Sequence, residues 1–190
     1  ILASIDLSVR TLSEAAWRLL KLAATCASNL PIPKALLALA YHPDDPSQAP
    51  TRELLRVGLL QALSDDNRVR MHPLVAEASF ALLMVTAEER EALREELANA
   101  LRVRLQDEEA QRASISREDD AAQAQELVRV LRGEASWLLQ WAMGDFLRMR
   151  GHYSEARGHQ ENVLVKCKAQ LGEDHPNFLG AIGNLAITQA

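Results

Sequence analysis

Leu12, Ala16, Leu19, Leu20 and Ala23 recur with the spacing of one helix face, and they predict an amphipathic helix over residues 11–27. Thr11-x-x-Glu14 reads as a capping box at its start. Asn29, Pro31 and Pro33 end that helix, and a short one is expected over 33–41. The prolines of 42–50 predict a loop, with a third helix over 51–60. The period then changes. Arg68-Val-Arg-Met-His72 alternates polar and apolar, which suits a half-buried strand. Ser64-Asp65-Asp66-Asn67 is a turn cluster between it and Leu60-Gln-Ala-Leu63, so the two runs predict a small hairpin. Pro73 cannot continue a ladder but suits a first helical turn, and a helix is expected over 74–85.

Helical periodicity resumes after Val85. Thr86-x-x-Glu89 predicts a second capping box, opening a long helix to about Gln106 with Leu93, Leu97, Leu101 and Leu105 as its apolar seam. Residues 107–120 are polar and without period, the best linker or long-loop candidate. Helices follow over 121–131, 134–150 and 153–171. Met143-Gly144 and Leu185-Ala186 are similar pairs forty-two residues apart, the signature of stacked helical hairpins. The expected fold class is mainly α: a winged-helix domain with a small β-hairpin over 6–85, a helical spacer over 86–133, and an α-solenoid of stacked helical hairpins over 134–190.

Composition narrows the picture. Among 190 residues, 48% are hydrophobic and only 4% aromatic, so a sizeable core is available and helix formers dominate. The net charge of −5 argues against general nucleic-acid binding. Cys26 and Cys167 lack paired spacing and fit reduced, buried thiols of a cytoplasmic protein. No apolar run reaches membrane-spanning length, so no membrane partner is expected. The five histidines show no metal-ligand spacing, and no Ser/His/Asp or Cys/His set stands out, so no catalytic residue and no metal ligand is assigned. Without Gly-x-x-x-x-Gly-Lys-Ser/Thr the segment has no phosphate-cradling loop and no cofactor of its own. It starts without Met and stops inside a helix, so it is expected to be part of a longer protein.

The end of the chain resembles a tetratricopeptide repeat of the kinesin-light-chain kind. The residues concerned are Gly144, Gly151, Tyr153 and Ala156, then Leu171-Gly172-x-Asp174-His175-Pro176 and Asn184-Leu185-Ala186. Gln160 and Val163 depart from the pattern, standing where the family has an aromatic and a small residue. The resemblance implies a concave groove for a protein or peptide ligand, faced by Trp141, Asp145 and Asn184. The alternative for Trp137 and Trp141 is simple packing on the preceding helix.

Arg70-Met71-His72-Pro73-Leu74-Val75, with Leu12-Ser13-x-x-Ala16 and Leu30-Pro-Ile-Pro33 before it, resembles the winged helix of STAND-class signalling NTPases (NB-ARC and its bacterial relatives). The resemblance implies that His72 senses nucleotide in the intact protein by donating to a phosphate of bound ADP. The parent would then bind ADP or ATP with Mg²⁺ through an upstream nucleotide-binding domain. Pro73 replaces the motif's acid. The bland alternative is a histidine that only caps a helix.

Three functions follow as expectations. The first is a non-catalytic regulatory and protein-interaction arm of a STAND-type NTPase. The second is a stand-alone adaptor module without a nucleotide role. The third, a DNA-binding winged helix, is disfavoured by Glu53 beside Arg52 and Arg56, and by Asp65 and Asp66 at the hairpin tip. Self-association is expected wherever an apolar face of the last helix stays open.

Overall fold

The computed structural model describes residues 2–41, 48–107 and 117–189. A helix not foreseen in the sequence pattern, α1 (Leu2–Arg10), comes first and buries Ile5 and Val9. Helix α2 (Glu14–Thr25) follows, and its cap corrects the Thr11 expectation. Ser13 is the N-cap: its hydroxyl accepts from the Ala16 N–H and donates to Glu53. Thr11 instead donates to the Ser8 carbonyl.

Two residues, Ile32–Pro33, form strand β1, which the proline spacing hid. Helix α3 (Lys34–Tyr41) follows, and most of the loop expected over 42–50 lies outside the described residues. Helix α4 is Ala49–Arg56, ending earlier than expected because Gly58 turns the chain at φ 76°. Strands β2 (Gln61–Ala62) and β3 (Arg68–Arg70) form the expected hairpin, and all pairing is antiparallel in the order β1-β3-β2. Val69 lies opposite both Ile32 and Ala62 and is fully buried. Helix α5 (Pro73–Leu82) begins at the predicted proline.

Helix α6 (Ala87–Leu105) starts at Thr86, whose hydroxyl accepts from the Glu89 N–H. Only this half of the capping box forms on α6, because the Glu89 carboxylate reaches Lys21 of α2 at 2.6 Å. Its leucine seam is buried as the periodicity predicts. The polar stretch 107–120 needs correcting at its end. Helix α7 (Glu118–Val128) already includes Glu118, Asp119 and Asp120, and Asp120 is 1% exposed because Arg104 neutralises it. Residues 108–116 of that stretch lie outside the described residues. Helices α8 (Gly133–Met149), α9 (Tyr153–Leu171) and α10 (Pro176–Gln189) complete the chain.

The architecture among the described residues is mainly helical with one small three-stranded sheet. One apolar core runs from Ile5 and Val9 through Leu20, Leu36, Leu54, Met71, Leu97 and Leu105 to Leu139 and Phe146. A smaller core of Trp137, Val163, Cys167, Phe178 and Ala181 joins α8, α9 and α10. Helix α9 packs extensively on both α8 and α10, which touch one another only slightly.

Candidate functional site

Two places carry the residues singled out in the sequence. The first lies where α8 and α10 meet over α9. Trp141 and Asp145 are one turn apart on α8, so they share a face. Asn184 of α10 donates its amide to Asp145 Oδ1 at 3.2 Å. Trp141 leans on α10 at Gly180, where an added Cβ would sit 2.9 Å from the ring. All three are half-buried. The structure therefore brings Trp141, Asp145 and Asn184 together. Trp137, one turn before Trp141, is 1% exposed in the small core against which Trp141 also packs, and its indole N–H is donated to Gln170 at 3.1 Å.

Backbone geometry explains why these helices come so close. Gly144 has no Cβ, and one placed there would meet Gln160 Cγ at 3.0 Å and the Ala156 carbonyl at 3.5 Å. Gly151 turns α8 into α9 at φ 80°. Gln160 and Val163, the departures from the repeat pattern, are both buried. The Gln160 carboxamide has no hydrogen-bond partner among the described residues.

The electrostatics single out Asp145. Burial pushes its carboxyl above the ordinary carboxylate range, while Arg148 and a hydrogen bond from Trp141 pull it back. The site thus offers a flat indole, a half-buried carboxylate and an amide with both donor and acceptor capacity.

The second place is His72, exposed at the N-terminus of α5. Its Nδ1 accepts from the Leu74 N–H at 3.2 Å. An accepting Nδ1 leaves the proton of a neutral ring on Nε2, which is then a donor. The ring borders a cleft of about 530 Å³ with Ile5, Leu59, Gln61, Leu74 and Val75. His175 repeats this arrangement. It also precedes a proline that opens a helix, and its Nδ1 accepts from the Asn177 N–H at 3.1 Å. The shared His-Pro dipeptide could have signalled this common way of starting a helix.

The hairpin tip is electrostatically closed. Asp65 pairs with Arg68 and Asp66 with Lys34. On α4, Glu53 is engaged by Ser13. Among the described residues no three His, Cys, Asp or Glu side chains stand close enough to share a metal ion, and no helix is long and apolar enough to cross a membrane. No protein-family model, curated protein or solved structure matches the chain.

Proposed function

We propose that this chain is a non-catalytic regulatory and protein-interaction segment of a STAND-type signalling NTPase. In this reading a winged helix over 6–85 senses bound ADP through His72. Tetratricopeptide repeats over 134–190 hold a protein or peptide ligand against Trp141, Asp145 and Asn184. The observation that carries it is the Trp141–Asp145–Asn184 constellation, assembled from two helices around a carboxylate that burial disfavours. Carboxylates whose surroundings disfavour the charge tend to gather at functional sites. The element order from α2 to α5, with β1 on one side of β3 and β2 on the other, supports the winged-helix reading. The α8–α9–α10 stack with Gly144 and Gly151 at its close approach and turn supports the repeat reading. His72 contributes an Nε2–H donor beside a cleft, and a phosphate oxygen can accept from such a group.

A second reading, a stand-alone adaptor with no nucleotide role, draws on His175. The same cap geometry there makes His72 explicable as a helix start alone.

Thermal stability of the native full-length protein, with and without ADP and Mg²⁺, separates the two. The first reading expects ADP to raise Tm. It expects His72→Ser, which keeps a capping oxygen, to abolish that rise. Asn184→Ala leaves the rise intact. An undiminished ADP response in His72→Ser refutes nucleotide sensing, and no response in the wild type favours the adaptor.

A further inference from the structure

Three consecutive carboxylates open α7, and each meets an arginine from a different part of the fold. Glu118 lies 3.7 Å from Arg150, just beyond α8. Asp119 accepts from Arg68 of β3 at 3.1 Å. Asp120 is gripped by Arg104 of α6 through two hydrogen bonds of 2.8 Å each. Successive helical residues point about 100° apart, so one turn can face three directions. The buried Gln123 adds a fourth attachment. It accepts from the Ala27 N–H at 2.7 Å and donates to the carbonyls of Ala27 at 3.3 Å and Pro31 at 3.1 Å. Pro31 leads directly into β1, on which α7 also packs.

Acidic residues in a first turn complement the helix dipole wherever they occur. The dipole does not account for an arginine waiting in each direction. Nor does it account for the burial of Asp120, which needs its partner in place.

We propose that the first turn of α7 is a mechanical junction that ties the sheet, α6 and the end of α8 into one moving body. Displacing α8 then displaces β3, and His72 lies only four residues beyond Arg68. That this links a groove ligand to a nucleotide sensor rests on the function proposed above. The junction itself needs neither ligand.

Amide hydrogen exchange on the whole chain tests it. Asp119→Asn removes one charge and keeps the shape, and among the described residues its ion pair is with Arg68. The junction predicts faster exchange, by about fivefold, both in β3 and in residues 146–150, which Asp119 does not pair with. Arg68→Gln should give the same pattern, which guards against an artefact of one variant. Acceleration confined to β3 and the start of α7, or none at all, overturns the junction. If the pattern holds while ADP leaves Tm unchanged in the native protein, the junction stands and nucleotide sensing falls.

Discussion

Asp145 keeps a charge that its surroundings disfavour. Its folded carboxyl holds a proton more tightly than the unfolded one, so its contribution to stability is present at low pH and is lost as pH rises through the raised value. At neutral pH the ionised group is therefore a burden. Asp145→Asn keeps an oxygen for Asn184 and should raise Tm at pH 7 by about 2 °C. The same variant should weaken any ligand held there, and a lower Tm would sink the electrostatic argument. Cys26 follows the same rule at the other end of the pH scale. Burial, with Asp120 nearby, pushes its thiol up to about 12. Its contribution is complete below the ordinary thiol range near 9 and fades as pH climbs toward 12. Between those limits stability should fall as pH rises, and Cys26→Ala should flatten that slope in urea titrations. The sequence made both cysteines legible as buried thiols, and they are free and buried. The perturbation of Asp145 was not legible, because it arises from burial in the folded chain, which local pattern does not carry.

Elements expose what local pattern can and cannot carry. The leucine seam of α6 and the full length of α9 were readable, since each depends on residues within a few turns. Strand β1 was not, because two residues gain their status only by pairing with Val69 and Arg68 far along the chain. The start of α2 shows the same limit on a smaller scale. Thr11 and Ser13 both suit a cap, and Glu53, forty residues away, favours Ser13. Ser13→Ala should therefore lose about 1–2 kcal/mol, while Thr11→Ala stays near neutral. Equal losses in denaturant melts would return the cap to Thr11. Gly144 and Gly158 make a second contrast, one on α8 and one on α9. A methyl at Gly144 must move Gln160, so Gly144→Ala should cost about 1–2 kcal/mol. Nothing stands within 4 Å of a Cβ at Gly158, where alanine should stabilise by about 0.5–1 kcal/mol. If Gly144→Ala proved the more stable of the two, the close approach of α8 and α9 would be wrong.

At the scale of the whole molecule, the forty-two-residue spacing turns the last helix into a question of what lies against it. Leu179, Ile182 and Ala186 on α10 occupy the positions of Trp137, Gln140 and Gly144 on α8. Helix α9 lies over that face of α8, leaving Trp137 1% and Gln140 3% exposed. On α10 the same face is open among the described residues: Leu179 is 58% exposed, Ile182 43% and the neighbouring Ile187 61%. All of α10, from Pro176 to Gln189, is without a charged residue. Two copies can therefore bring these faces together without like-charge repulsion, and Gly183 and Ala186 let the backbones approach. The area on one helix face is well below that of a standard stable interface, so the pairing should be weak, in the micromolar range or beyond. Sedimentation velocity from micromolar to millimolar chain should show a monomer–dimer shift. Leu179→Lys with Ile187→Lys should abolish it and leave α9 and the small core intact, since neither side chain is buried. A wild-type chain that stays monomeric throughout that range would refute pairing through this face, exposed though Leu179, Ile182 and Ile187 are.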